Sequence, residues 1–469
     1  MSDKVSSELG YYVCNSRAIF IIRKESNLKI QLSDFFTYKK LLKYAIPSII
    51  MVVVTSLYSV IDGFFVSNFA GKTPFAAINL IMPVLMIAGA VGFMMGTGGG
   101  ALIAKSLGEQ NKEKANQIFS MVVYSSVIAG ILIAIIGIIF LKPIAVLLGG
   151  QDELLENAVR YGKIVLIAMP AFILQFEFQC LFATANKPVL GLVITVMAGV
   201  TNAILDALFI AGFRWGLNGA AAATAIGQCV GGILPVIYFL RKNGSLLRLG
   251  KMYFCGKELF QVCVNGFSEM LSNISTSVVS MLFNFQLLEY IGENGVAAYG
   301  VLMYVGMIFS ATFIGYSVGV APVISYHYGA KNVDELKSLK KKCLFIITVF
   351  SVAMFTVSLL LSNPLAYVFV GYDPTLVKLI VHAFLIYAPS FLFSGFTIFI
   401  SSLFTALNDG LVSAAVSFVR TLIFQVATVL LLPLLIGIDG IWWSFAVAEV
   451  LAFAVSFSLL QVFKKKYDY

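Results

Sequence analysis

The sequence predicts an all-α polytopic membrane protein, with twelve transmembrane helices in two six-helix lobes related by a pseudo-two-fold axis along the membrane normal. Three observations predict it. Hydrophobic residues make up 59% of the 469 positions and charged residues only 12%, where a soluble domain carries about a quarter. Apolar stretches recur along nearly the whole chain, each long enough to cross a hydrocarbon core of about 30 Å as a helix. Short signatures then recur at one offset of 221 residues.

The chain opens with a basic tail over 1–40. Its apolar stretch Ile19 to Ile22 is too short for the core of a secretory signal, so the tail is expected to stay cytoplasmic, with room for a short interfacial helix. Loop signals place spans at 41–69, 74–104, 117–148, 157–185, 188–212 and 216–240. A basic linker follows at 241–256. Further spans are expected at 257–290, 295–328, 340–370, 375–406, 411–436 and 438–463, with a basic tail at 464–469. With the N-terminus inside, 25 of the 32 Lys and Arg fall on cytoplasmic segments. Six fall on outer segments (Lys72, Lys142, Arg160, Lys163, Arg214, Lys378), and Arg420 falls within a span. That asymmetry predicts a multi-pass plasma-membrane protein with both termini cytoplasmic. The formal charge of +9 is then a matter of loops meeting anionic lipid, with no nucleic acid as partner.

The repeat supports the lobes. AGKTPFAAIN (Ala70 to Asn79) matches IGENGVAAYG (Ile291 to Gly300), Gly108 matches Gly329, and Asn111 matches Asn332. Thr184 and Ala185 match Thr405 and Ala406, and Gly216 to Gly219 match Gly437 to Gly440. An even number of spans per copy sends both copies into the membrane in the same direction, with a cavity between them. Two such lobes rocking about a central site are the architecture of a transporter.

Several chemistries are excluded. Gly71-Lys72-Thr73 resembles the end of a phosphate loop, but the glycine that motif needs five residues earlier is Val66. Without a nucleotide-hydrolysing domain, transport would draw on an ion gradient. The run Gly96 to Gly100 reads as close helix packing. His327 and His382 stand near span ends with no partners for a metal or a nucleophile, so no cofactor, metal or enzymatic site is expected. The six cysteines, Cys14, Cys180, Cys229, Cys255, Cys263 and Cys343, show neither metal nor disulfide spacing. Asn273-Ile274-Ser275 fits a glycosylation sequon but falls inside a span.

Ionisable residues left within spans are Asp62, Glu177, Asp206, Glu269, Arg420 and Glu449. Each costs about 2.5–3.5 kcal/mol at mid-membrane on insertion scales, so each should face a cavity or a partner. Asp62 shares a helix face with Thr55, Tyr58 and Ser59. Asp206 has Asn202 one turn away, and the topology puts Asp62 and Asp206 at similar depth in the outer half of the first lobe. Two carboxyls in one poorly hydrated pocket disfavour each other's ionisation, which suits a proton carrier. Glu269 is placed to serve cations in the central cavity. On span 4, Gln175 and Gln179 share one face while Glu177 points nearly opposite, leaving that helix unoriented, and all three join Glu269 as candidates to meet a substrate or cation at the cavity. Arg420 and Glu449 could pair within the second lobe.

IDGFFVSNFAG in span 1, the glycine-rich end of span 2 running into AKSLGEQNKEKA, TANKP before span 5 and NAILDALFI within it carry a resemblance. Over about residues 40–465 the chain resembles the MATE family, the multidrug and toxic compound extrusion transporters. The resemblance implies export of organic, often cationic, small molecules against H+, or against Na+. It implies cation-coupling roles for Asp62, Asp206 and Asn202, brings Thr224 into their cluster, and matches the family's span 7 glutamate to Glu269. Some members carry an aspartate in span 10, where this chain has only Ser394, Thr397 and Ser401, so coupling through the first lobe is favoured. Fifteen Met and forty Phe supply adaptable apolar walls. The alternatives are a lipid or lipid-linked oligosaccharide flippase of the same superfamily, which would favour a basic cavity, and a channel or receptor, which the two-fold repeat argues against. One chain with two lobes suffices, so a monomer is expected.

Overall fold

The structure is a computed structural model describing residues 30–251, 253–371 and 373–467. Most of the expected N-terminal tail, with Cys14 and Ile19 to Ile22, lies outside the described residues. Every described element is helical. The first repeat contains α1 (Tyr38–Phe65), α2 (Lys72–Gly108), α3 (Lys112–Leu147), α4 (Asp152–Ile167), α5 (Met169–Thr184), α6 (Pro188–Asp206) and α7 (Gly216–Leu240). The second contains α8 (Gly256–Tyr290), α9 (Glu293–Gly329), α10 (Val333–Val370), α11 (Pro374–Tyr387), α12 (Ser390–Ala406), α13 (Gly410–Phe418), α14 (Gln425–Ile436) and α15 (Ile438–Val462), followed by the short α16 (Lys464–Tyr467).

Spans 4 and 10, expected as continuous helices, are each broken. The axis bends by 62° between α4 and α5 and by 50° between α11 and α12. Pro170 lies in the first turn of α5 and Pro389 directly precedes α12; each removes a backbone donor and crowds the preceding turn. Among the described residues nine helices are long and apolar enough to cross a membrane, or eleven spans when each bent pair counts once. The twelfth is α8, whose 35 residues extend about 52 Å but carry Asn265, Ser268, Glu269, Ser272 and Asn273. It packs along α2, against protein rather than lipid, which is where a polar span belongs.

The backbone repeats as the sequence does. Left-handed φ values occur at Gly71 and Gly292, at Gln110 and Lys331, and at Gly216 and Gly437, all at the 221 offset. Asn111 Oδ1 caps α3 by accepting from Lys114 N at 3.0 Å, and Asn332 Oδ1 caps α10 by accepting from Glu335 N at 3.2 Å. A fourth left-handed pair, Asn186 and Asn408, follows helices that end at Thr184 and Ala406. The second copy therefore carries one extra residue between Lys331 and Asn408, and the sequence match of Thr184 to Thr405 is one residue out of structural register.

The lobes are sealed at the end of the bundle where α1 begins. A Cβ on Gly98 would sit 2.1 Å from Val262 O, and one on Gly266 would sit 1.9 Å from Met94 O. The symmetry-related crossing uses Gly319 against Ala45, the same two positions shifted by one repeat. Nearer the end, Gly108 and Gly329 approach Tyr326 O and Lys105 O at 2.0 and 2.2 Å for the same added atom. This is close helix packing through small residues, as expected for the glycine run in α2. Gln110 Nε2 donates to Tyr326 OH at 3.2 Å, and Lys114 pairs with Glu258 at 3.5 Å across the same seam. The segment before α1 crosses it too: Leu32 and Phe36 are buried, Phe36 N donates to Glu335 Oε1 at 2.8 Å, and Lys342 Nζ donates to Phe36 O.

Candidate functional site

The first lobe gathers its acids at the ends of two helices. Asp62 lies in the last turn of α1 and Asp206 is the last residue of α6, and each is followed by a π-helical segment, Val66–Ala70 and Ala207–Gly212. An inserted π turn widens the helix and recurs at functional positions. The two segments touch each other, and the first also touches α7. Asp62 is 6% exposed and Asp206 is fully buried. Their carboxyls face each other, with the Thr224 hydroxyl of α7 also beside Asp62.

Tyr58 faces both acids and Gln175, and Tyr161 of α4 faces Thr224 and the same acids. Asn202 is held where α6 meets α7, since a Cβ on Gly227 would lie 3.0 Å from its Cβ. Thr55 accepts from Gln179 Nε2 at 3.2 Å and donates to Met51 O. Of the residues the sequence names, the fold brings Asp62, Asp206, Tyr58 and Thr224 together; Asn202 lies one turn before Asp206 on α6, and Thr55 is engaged by Gln179. Tyr161 was missed, because nothing in YGK marks a tyrosine as aimed at acids two helices away. Ser59's side chain lies outside the description.

The polar atoms of this pocket are left wanting. Asp62 Oδ1, both Asp206 oxygens, both Asn202 side-chain atoms and Thr224 Oγ1 are buried without a hydrogen-bond partner. Two adjoining carboxyls with no Lys or Arg among the residues facing them call for one added positive charge, a proton or a small cation, since like charges repel strongly where water is scarce. Side-chain hydroxyl, amide and carboxyl oxygens of this kind are hard donors suited to either.

The remaining predicted residues separate. Glu269 lines a cavity between the lobes with Thr97, Thr184, Ser317, Ser402 and Thr405. It is the carboxylate of that lining. Gln175, Gln179 and Glu177, expected at this cavity, lie inside the first lobe instead. Gln175 and Gln179 face α1, while Glu177 is fully buried beside α2 with Ser126 of α3 opposite it. The opposed faces were legible in the spacing, but their neighbours were not. In the second lobe Arg420 and Glu449 do pair, as the sequence allowed. His382 meets Asp439 at 2.8 Å, and His327 contacts Asp34 O. The described cysteines are unpaired.

Two lobes sealed at one end, a cavity between them and an acidic pocket inside one define a two-lobed membrane transporter. The family profile described as MatE matches residues 47–208 and again 270–431, once per repeat, and the chain belongs to that family. It is similar to the multidrug export protein MepA of Staphylococcus haemolyticus, 27% identical over 423 residues, covering 90% of this chain and 92% of that one. It is also similar to MepA of Staphylococcus aureus, 23% identical over 416 residues with 88% and 91% covered. A solved structure described as the outward-facing conformation of a multidrug resistance MATE family transporter superposes with a TM-score of 0.88 at 22% identity, over 94% of this chain and 99% of that one. A MATE crystal structure in complex with MaL6 gives 0.87, covering 92% and 98%. The chain is a multi-pass membrane transporter of small molecules in the multidrug export family.

Proposed function

We propose that this chain exports organic, amphipathic and often cationic compounds by antiport with H+, with Na+ as the alternative ion. Its lobes, 41–240 and 257–463, exchange access to the central cavity. The observation that carries the reading is the buried pair Asp62 and Asp206, adjoining acids without a basic partner at the ends of two helices that continue as π segments. With Asp62 protonated, that carboxyl is neutral and α1 packs against α6 and α7. Ionised, it demands water or a cation, and α1 must repack. One proton moving down 100 mV supplies about 2.3 kcal/mol, enough for about fifty-fold accumulation of a neutral substrate.

Glu269 is the group that receives a positive charge on the substrate. A cavity lined by one carboxylate and no Lys or Arg does not favour the flippase alternative. The bundle end bearing Lys105, Lys112, Lys114 and Lys340 to Lys342 is assigned to the cytoplasm by its charge, so the seal described above closes the inner face and the cavity serves the outer one. Transport involves no covalent chemistry, needs no resident cofactor, and is the work of a monomer in the plasma membrane.

The test is fluorescent-cation efflux in energised vesicles, comparing wild type with Asp62→Asn under separate pH and Na+ gradients. Efflux driven by pH in wild type and lost in the variant supports a coupling carboxyl. Normal export by Asp62→Asn overturns it and moves coupling to Asp206 or Glu269.

A further inference from the structure

Arg420 sits inside the third π segment, Val419–Phe424, between α13 and α14. Its guanidinium clamps the Glu449 carboxylate of α15: Nε lies 3.0 and 3.1 Å from the two oxygens, and Nη2 lies 2.8 Å from Oε1. Glu449 Oε2 also accepts from Thr397 Oγ1 of α12 at 3.0 Å. The side chains of Arg420 and Glu449 are 17% and 4% exposed, so this is a desolvated, multiply bonded pair of the strong kind. The π segment touches α8, the helix that carries Glu269, which puts Arg420 within electrostatic reach of the carboxylate of the central cavity. Glu449, Arg420 and Glu269 together carry net −1 when all three are ionised. Hydroxyls lie one turn along the chain from Thr397 and Arg420: Ser417 bonds Ser401 at 2.9 Å, and Ser394 Oγ is buried without a partner. Without the guanidinium, the buried Glu449 carboxylate and its Thr397 hydroxyl would be left without a positive charge, with Glu269 on the adjoining helix, and carboxyl and hydroxyl oxygens are the donors a small hard cation takes.

We propose that Arg420 is a tethered cation that fills the acidic cluster of the second lobe, excludes alkali-metal ions from it, and leaves Glu269 with a single negative charge for a monovalent cationic substrate. The inference deepens the function proposed above and rests on it for the role of Glu269. It concerns the second lobe, whereas coupling was assigned to the first. Arg420 is thus a specificity-determining residue: it selects which positive charge this lobe accepts.

The test is equilibrium binding of radioactive Na+ to the purified, detergent-solubilised protein, alongside Na+-dependent thermal unfolding. Wild type is expected to bind no Na+ that depends on Glu449. Arg420→Gln is expected to gain about one Na+ per chain and to unfold at a temperature that rises with Na+. The double variant Arg420→Gln/Glu449→Gln, again net −1, is expected to lose that ion. Should Arg420→Gln unfold during purification, Na+ or guanidinium in the buffer is expected to restore it. A folded Arg420→Gln that binds no Na+ overturns the proposal, as does an unfolded one that neither ion rescues, or a wild type whose Na+ binding is abolished by Glu449→Gln. Because the readout is binding rather than efflux, it stands whether or not Asp62 proves to be a coupling acid. A failure of proton coupling would show only in the vesicle assay.

Discussion

Shifted by the repeat, Asp62 of the first lobe becomes Phe283 of the second, and Thr224 becomes Phe445. Where the first lobe sets a carboxyl beside a hydroxyl, the second stacks two rings at 4.3 Å and 15° between planes, with Tyr299 stacked on Phe283 at 5.1 Å. Allowing for the extra residue, Asp206 corresponds to Thr428, whose hydroxyl is already spent on backbone carbonyls at 2.8 and 3.0 Å. The reverse exchange occurs deeper. Glu449 stands where the first lobe has Gln228, and Arg420 where it has Ala198. One fold thus holds two polarities: an acid pocket with unmet polar atoms on one side, and on the other an aromatic plug above a self-neutralised ion pair. Where charge is left unmet, an exchangeable ion can act; where it is met internally, none is called for.

The sharpest way to break this comparison is to neutralise the first lobe's acids. Asp206→Asn is expected to reduce pH-driven accumulation in vesicles from about fifty-fold to none, with the thermal unfolding temperature little changed. The matching alteration in the second lobe should do the opposite. Phe283→Ala empties a fully buried ring site and is expected to destabilise by about 3–5 kcal/mol, read by thermal unfolding in detergent, while transport per folded molecule persists. If Phe283→Ala instead uncouples transport at unchanged stability, the lobes are not divided in this way.

A smaller effect concerns the strap before α1. Glu335→Gln keeps the acceptor oxygen for Phe36 N but removes its charge. It is expected to weaken a charge-assisted bond by about 1 kcal/mol, seen as faster labelling of a cysteine introduced at Phe36.

The smallest effect lies at the end of the second lobe. Asp409 accepts from Lys466 Nζ at 2.7 Å and from the Tyr467 hydroxyl. Partial burial opposes its ionisation, but Lys466 and Tyr467 prevail and hold its carboxyl below the usual range. A depressed carboxyl stabilises the fold above the unfolded-chain value of about 4 and loses that contribution as pH falls through its folded value. Asp409→Asn should therefore cost at most about 1 kcal/mol at neutral pH, Lys466 being largely exposed. The difference from wild type should shrink below about pH 4, as circular-dichroism melts across pH would show.

Much of this was legible beforehand because membrane insertion makes period, charge and length speak loudly. The spans, the repeat and the Asp62, Asp206 and Asn202 set follow from residues whose burial has a large cost. The broken spans were present as Pro170 and Pro389 inside apolar runs, but the runs were read by length alone. The π segments left no mark, since one inserted residue shifts neither hydropathy nor helix length. Glu177 was misplaced because its own helix is buried on all sides, so its spacing cannot choose among neighbours. Arg420 and Glu449 lie 29 residues apart, and only the fold brings Thr397 and Glu269 to them.

The crossing of Gly108 with Gly329 has a further consequence. Gly108 rests on the carbonyl of Tyr326 and Gly329 on that of Lys105, and Tyr326 is the repeat counterpart of Lys105. Each half thus offers the other the same patch it receives, which is the rule of an isologous two-fold contact between identical subunits. A six-helix chain ending before the linker already carries both sides of this joint. What the linker adds is stoichiometry: it guarantees one acidic lobe and one aromatic lobe in every molecule, where free halves would also assemble as like with like.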